Sequence, residues 1–558
     1  MKQFMSPRQV AFASALAAAL AFAVVATALP FYTRAEPREA NAARAMVAGR
    51  GLVVPERDGD RPSKKPPLYH WLAAAALAIG VEPPELAVRL PSVLLAATAV
   101  GVTAGIGAAL HGPLAGALAG LVLGSSFEWF RAATQARVDM TLTVFLSLAA
   151  IGLWLGTRRN RPAWCRLGAL AAGAATLAKG PVGIILPLGI VVLDAFVHGE
   201  HRRLRRLVDP VAAAMLLLPP LAWYVAAALH SGAGVLHTQL VDENVARFLG
   251  IGNVGHRHGL LYYPPLLAGG LLPWTLAVMA GVWAAIRRPG RVERFCLVWA
   301  AVVLAFFSVA AGKRSVYLLP AFPPMALLGG LALARWCRAP VSERVRSGGA
   351  AAAVSLVFAA VALALPPVQA TLVAWAPHVV SSDREMVAPA FAVLAQAGSL
   401  VVGVAAGIGG ALLVAVRART ATARGSALVV FGILLPLAIT LLGTLPLARL
   451  LAPREFAEAV RRRVGPDAAM CALGPVPTSL LWYLDRPLPP CRLQCDRPEG
   501  MAWVLRTMSF DARHREPCLT LTLRHDGTGL GDSIRLDRVI ARTVGEAGGL
   551  RVVEKEAP

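Results

Sequence analysis

Apolar residues in this chain gather in long stretches separated by short polar ones. A stretch of roughly 17 to 25 apolar residues is long enough to cross about 30 Å of hydrocarbon as an α-helix. About thirteen are read, near 9–31, 87–110, 113–130, 139–157, 164–178, 180–197, 208–229, 262–286, 295–311, 315–335, 348–366, 388–416 and 426–447. Many are rich in Ala and Gly, as expected where membrane helices must approach closely. The pattern predicts an all-α polytopic membrane protein with its transmembrane body over residues 1–450 and a tail over 451–558. Ala26-Thr27-Ala28 is an acceptable signal-peptidase site, but the first apolar run is longer than a usual signal core, so it is read as a retained span.

Composition agrees with this reading and changes the meaning of the charge. Only 16% of the 558 residues are Asp, Glu, Lys or Arg, whereas a soluble domain carries about a quarter. The net charge of +23 would point to nucleic acid in a soluble protein. Here the arginines fall in alternate connections: Arg158, Arg159, Arg161 and Arg166; then Arg202, Arg203, Arg205 and Arg206; then Arg287, Arg288, Arg291 and Arg294. Arg335, Arg338, Arg344 and Arg346 follow, then Arg417, Arg419 and Arg424. By the positive-inside rule these loops and the N-terminus are cytoplasmic, and the tail is periplasmic or external. The localisation expected is a bacterial plasma (inner) membrane, with no nucleic-acid partner.

Cysteine usage follows the same division. Cys165, Cys296 and Cys337 lie at cytoplasmic ends of spans, whereas Cys471, Cys491, Cys495 and Cys518 lie in the tail, where up to two disulfides with three alternative pairings can form. A zinc site on Cys491, Cys495 and His514 or His525 is the alternative, although the spacing is not that of a ribbon or finger.

Polar residues concentrate on the outer side. The first external loop, 32–85, holds eight basic and five acidic residues between Arg34 and Trp71, where short outer loops should be poor in Lys and Arg. Pro37 suits a first helical turn, and Ala40, Ala43, Met46 and Val47 recur at helical spacing, which predicts a short interfacial helix with Glu36 at its N-terminus. A second short helix is expected from Pro66-Pro67, with Lys64 and Lys65 at its N-terminal edge as a phosphate site or a lipid-head-group contact. The segment RAATQARVD delivers Asp139 to the outer end of a span, with Arg137 as its expected partner. The loop His230 to Tyr263 carries Glu243, Asn244, Arg247, His256, His258, Tyr262 and Tyr263. Lys179 in LAKGP and Lys313-Arg314 in GKRSVYLLP add cations at other outer helix ends, each read alone as a snorkelling anchor. Two acids, several cations and aromatics at one membrane level suit a substrate with an apolar tail and a phosphate at the interface, such as a lipid-phosphate-linked sugar.

At these residues the chain resembles the membrane glycosyltransferases that use polyprenyl-phosphate sugars, the group of bacterial aminoarabinose transferases and protein mannosyltransferases. The motifs are AEPREA at 35–40, KKPPLYHW at 64–71, ARVDM at 136–140, LAKGP at 177–181, ENVARF at 243–248 and KRSVYLLPAFPPMALL at 313–328. The resemblance implies a GT-C fold, external amphipathic helices and an external active site. It places a catalytic or metal-linked carboxylate at Glu36, a second acid at Asp139, the carrier-phosphate lysine at Lys65 and the motif tyrosine at Tyr317. Lys64, Arg137, Arg247, His258, Lys313 and Arg314 join the expected donor phosphate and sugar contacts, with Arg38, Tyr69, Glu243, His256 and Lys179 in support. Ala35 stands where many relatives have the first of two acids, and Lys64 where the aminoarabinose transferases have Glu. A divalent cation therefore has fewer oxygen ligands here, and Lys64 is expected to supply positive charge instead.

The expected activity is inverting transfer of a glycosyl group to an external acceptor: lipid A, another glycolipid, a polysaccharide or a protein. The alternatives are a lipid-linked-sugar transporter or flippase and a non-catalytic lipid-phosphate binder. In the tail, a helix over Arg454–Arg463 and short apolar runs at 468–473, 501–505 and 518–523 predict a small α/β domain without catalytic motifs of its own.

Overall fold

The computed structural model describes residues 5–33, 35–57, 61–251, 258–340, 409–410, 414–464, 470–473, 477–485, 503–507, 533–536, 539–547 and 550–555. They form two compact units, one of residues 1–29 and 42–447 and the other of 30–41 and 448–558. The expected spans 348–366 and, almost entirely, 388–416 lie outside the described residues, as do Cys491, Cys495, Cys518, the candidate His256 and the run 518–523.

The first unit is helical. Its long elements are α1 (Pro7–Ala28), α4 (Pro84–His111), α7 (Val138–Arg159), α8 (Pro162–Lys179), α9 (Val182–Val197), α10 (Pro210–Ser231), α15 (Arg291–Val309), α16 (Phe322–Arg338) and α17 (Ala421–Ile439). Shorter helices are α2 (Glu36–Val47), of which residues 36–41 are counted with the second unit, α3 (Leu68–Ala78), α5 (Pro113–Ser125), α6 (Phe127–Ala133), α11 (Ala233–Leu236), α12 (Arg247–Leu249), α13 (Tyr263–Gly270) and α14 (Thr275–Arg287). Among the described residues seven helices are long and apolar enough to cross a membrane, or nine if each bent pair counts as one span. Each of the other eleven apolar stretches read from the sequence is helical, but two are not straight: α5 and α6 meet at 69°, and α13 and α14 at 112°. Apolarity alone does not register such a bend.

Small residues let these helices approach, as the composition implied. A Cβ added at Gly101 of α4 would sit 2.8 Å from the Ala15 Cβ of α1, and one at Gly152 of α7 would sit 2.8 Å from the Gly168 Cα of α8. α7 and α8 form the hairpin that carries the site. Asn160 ends α7 in the left-handed conformation (φ 53°, ψ 45°), and Pro162 starts α8 after only two connecting residues. The two arms are similar in length, so the start of α7 and the end of α8 lie level.

The second unit contains α18 (Leu445–Leu451) from Ala448 onward, α19 (Arg454–Val464) and α20 (Thr478–Leu484). Beyond the two-residue hairpin strands β1 (Glu56–Arg57) and β2 (Arg61–Pro62) of the first unit, its strands are β3 (Met470–Leu473), β4 (Trp503–Thr507), β5 (Ser533–Leu536), β6 (Val539–Ala547) and β7 (Leu550–Lys555). They form one sheet in the order β3-β4-β7-β6-β5, with β3 and β4 parallel and the other neighbours antiparallel. This unit also holds residues 30–41. The Phe31 N–H donates to the Tyr483 hydroxyl at 2.7 Å, the Phe31 ring meets the Trp482 ring edge-on at 5.3 Å, and the Asn41 side chain donates to the Thr478 carbonyl at 3.0 Å.

Candidate active site

The site is built from helix ends. Asp139 lies in the first turn of α7, where the helix dipole favours a carboxylate, and Lys179 is the last residue of α8, where it favours a cation. Their level ends bring the Lys179 ammonium onto the Asp139 carboxylate in an ion pair, with side chains only 17% and 13% exposed. The positive charges of Lys65 and Arg137 also act on this carboxylate. The Lys179 ammonium stands 4.1 Å from the centroid of the Tyr317 ring, a cation–π contact, and Phe307 flanks that ring at 5.3 Å. Lys179 is thus part of the cluster and not the snorkelling anchor that its position suggested.

Arg137 is not the direct partner that its sequence neighbourhood implied. It precedes α7 in an extended conformation, and its Nε donates to the Gln135 Oε1 at 2.6 Å. Gln135 is shared with Arg131 at 3.4 Å, and Arg131 is held by Glu128 through two hydrogen bonds of 2.6 and 2.9 Å. Glu128, Arg131 and Gln135 are not among the residues read from the sequence as candidates, although the Glu128–Arg131 spacing of three on a helix is a usable signal of their pairing.

A second chain of charges lies along the His230–Tyr263 segment. Lys64 is more than half exposed and pairs with Glu243 at 3.6 Å, and Glu243 pairs with Arg247 at 3.0 Å. Lys64 is therefore engaged by a carboxylate, while Lys179 is the cation placed on Asp139. His258 stacks on Tyr262 at 4.1 Å. Lys313 is buried and its ammonium donates to the Ala310 carbonyl, while Arg314 is exposed. Burial lowers the Lys313 pKa from its ordinary value. Tyr69 is a core residue: it is fully buried and its hydroxyl donates to the Val88 carbonyl at 2.7 Å.

Glu36 and Arg38 belong to the second unit's segment 30–41. The helix expected there runs over Glu36–Val47 with Glu36 in its first turn. Ala40, Ala43 and Met46 are buried, but Val47 is 49% exposed and drops out of the predicted apolar face. Glu36 is fully buried and accepts from the Thr33 hydroxyl at 3.4 Å, and Arg38 lies 4.0 Å from Glu39.

A divalent cation does not fit the donor set at Asp139. Hard cations need several oxygens, whereas Asp139 is met by ammonium and guanidinium groups. Among the described residues no three His, Cys, Asp or Glu side chains gather in a way that could hold a metal ion.

Fold and site together define a multi-pass membrane protein of the GT-C type, with a cationic cluster around a carboxylate at one end of its helices. Residues 64–225 match the family model described as dolichyl-phosphate-mannose-protein mannosyltransferase. The chain is 31% identical over 326 residues to the undecaprenyl phosphate-α-4-amino-4-deoxy-L-arabinose arabinosyl transferase of Pseudomonas paraeruginosa, covering 56% of this chain and 58% of that protein. It is 30% identical over 307 residues to a Sodalis glossinidius protein of the same description, covering 52% and 53%. The chain thus spans between half and three-fifths of the length of these relatives. Its fold matches the crystal structure of ArnT from Cupriavidus metallidurans bound to undecaprenyl phosphate, with a TM-score of 0.75 over 97% of each chain at 20% identity. The resemblance to the polyprenyl-phosphate-sugar glycosyltransferases of the aminoarabinose-transferase and protein-mannosyltransferase group is thereby borne out.

Proposed function

We propose that the protein is an inner-membrane glycosyltransferase that moves a sugar from a polyprenyl-phosphate donor to an acceptor on the outer side of the membrane, with inversion at the anomeric carbon. The observation that carries this reading is the Asp139 carboxylate paired with Lys179 and acted on by Lys65 and Arg137. In the reaction the bond between the anomeric carbon and the phosphate oxygen breaks, and the lipid phosphate leaves with the electron pair. The acceptor oxygen bonds to the opposite face of that carbon, and where it is a hydroxyl its proton passes to Glu36. Lys65 and Arg137 stabilise charge growing on the leaving phosphate. Asp139, fixed by Lys179, orients sugar hydroxyl or amino groups. Glu36 is the base where the acceptor is a hydroxyl and a positioning group where it is already an anionic phosphate.

The arginine-rich connections support a cytoplasmic N-terminus and a C-terminal unit on the outer side. The relatives' descriptions make an undecaprenyl-phosphate-linked amino-pentose the first donor to test. The acceptor class is lipid A, another glycolipid, a polysaccharide or a protein. Purified protein in lipid is incubated with radiolabelled polyprenyl-phosphate sugars and each acceptor class. Release of the lipid phosphate with label on an acceptor supports the enzyme. Binding without turnover, or movement of the intact donor across the bilayer, refutes it.

A further inference from the structure

The segment after α11 is wound more widely than an α-helix: His237–Ala246 is π-helical, a conformation that occurs frequently at functional sites. It touches three places that carry cations of the site. At the first, Gln239 Nε2 donates to the Ser63 carbonyl at 3.0 Å, and Glu243 pairs with Lys64. At the second, the Asn244 amide donates to the Gln239 carbonyl and lies against Gly180, the residue after Lys179, where an added Cβ would sit 3.1 Å from the Asn244 Nδ2. At the third, just beyond the π-helical turns, the carbonyls of Arg247 and Phe248 accept from the N–H groups of Gly312 at 3.2 Å and Ala311 at 2.9 Å, directly before Lys313.

Ser63 is the fixed point of the lysine turn. Its N–H donates to the Pro55 carbonyl at 2.6 Å, its hydroxyl accepts from the Lys65 N–H at 3.2 Å, and its carbonyl takes the Gln239 amide. Gln239 is 2% exposed, and its Oε1 is buried with no hydrogen-bond partner among the described residues. Burying a half-satisfied amide is costly, so its presence is not explained by packing alone.

We infer that Gln239 is a positioning residue for the lipid-phosphate site: by holding the Ser63 carbonyl it fixes the Lys65 backbone, and through Asn244 it ties that turn to the end of α8 at Lys179. This rests on the glycosyltransferase reading above, in which Lys65 meets the carrier phosphate. Gln239 and Ser63, the two residues that start this chain of contacts, lie outside the motifs read from the sequence.

The test is equilibrium binding of undecaprenyl phosphate to the full-length protein in lipid, with thermal unfolding in parallel. Gln239→Met keeps the length of the side chain and removes the donor; binding is expected to weaken about tenfold, the worth of one such hydrogen bond, with little change in the unfolding midpoint. Gln239→Glu places an oxygen against the Ser63 carbonyl at neutral pH, and a donating carboxyl once protonated. Its affinity relative to wild type is therefore expected to recover as pH falls through that carboxyl's pKa, which a purely structural role would not produce. Wild-type affinity in Gln239→Met, or a pH profile of Gln239→Glu parallel to that of wild type, overturns the inference. If Gln239→Met does not fold, the Gln239→Glu profile decides alone. If the wild-type protein itself does not bind undecaprenyl phosphate, the functional reading fails and this inference falls with it, whereas a variant result at odds with these expectations on a binding wild type overturns this inference alone.

Discussion

Lys179 and Asp139 are 40 residues apart in sequence and form an ion pair across the level ends of an antiparallel helix hairpin. Each is where its helix dipole favours it, and the pair is largely shielded from solvent, so its Coulombic attraction is less screened than that of a surface pair. The ammonium also rests on the Tyr317 ring, which restricts where the pair can move.

Lys179→Met is expected to lower transfer by more than tenfold, because a hydrogen bond to a charged group is worth about 1.5–3 kcal/mol and the carboxylate is left without its partner. Combining Lys179→Met with Asp139→Asn tests the coupling. Steady-state transfer assays of the four proteins should show the double variant little worse than Asp139→Asn alone; fully additive losses would mean that the two residues act independently.

Transfer is expected to survive removal of divalent cations. The Asp139 carboxylate is already met by Lys179, with Lys65 and Arg137 adding positive charge, so an ion has little oxygen left to bind. Activity is measured after exhaustive EDTA treatment; loss that added Mg2+ or Mn2+ restores would refute this.

Gly180 has φ +91° and ψ −160°, a conformation that L side chains rarely adopt, and a Cβ there would press on Asn244. Gly180→Ala is expected to destabilise the protein by about 1–3 kcal/mol and to raise the donor KM by shifting the end of α8. An unchanged unfolding midpoint together with an unchanged KM would count against the tight fit.

Tyr483→Phe removes the acceptor of the buried Phe31 N–H, five residues before Glu36. Leaving that donor unsatisfied costs about 1–3 kcal/mol. If Glu36 acts in catalysis, kcat should fall while undecaprenyl phosphate binding stays as in wild type, and a change confined to binding would exclude this anchoring role.

Arg131→Met should weaken donor binding through Arg137, since Arg131 and Arg137 share the Gln135 side chain. The loss is expected to be smaller than for Lys65→Met, because Arg131 acts at one remove. Parallel binding titrations of the two variants give the ranking.

The short helix at Glu36, the helix after Pro66-Pro67 and the helix over Arg454–Val464 were all legible from local signals: a proline in the first turn, apolar spacing and charge pattern. The bends between α5 and α6 and between α13 and α14 were not, since both halves are apolar and hydropathy carries no direction. Three of the five strands of the sheet were also missed. Strands β5, β6 and β7 lie in stretches with too few uninterrupted apolar residues to stand out, and their pairing across the sheet is non-local.

By itself the sequence determined where the helices run, because apolar length and capping residues are local properties, and it set the charge pattern that orients them. It also placed Asp139, Lys65, Lys179 and Tyr317 in motifs of one family. The tertiary structure alone decided which cation answers the carboxylate. Arg137 is the nearest basic residue to Asp139 in sequence, but it lies in the extended stretch before α7 and turns to Gln135. Lys179 reaches Asp139 because two helices of similar length fold back through a two-residue connection, and that register exists only once they are packed.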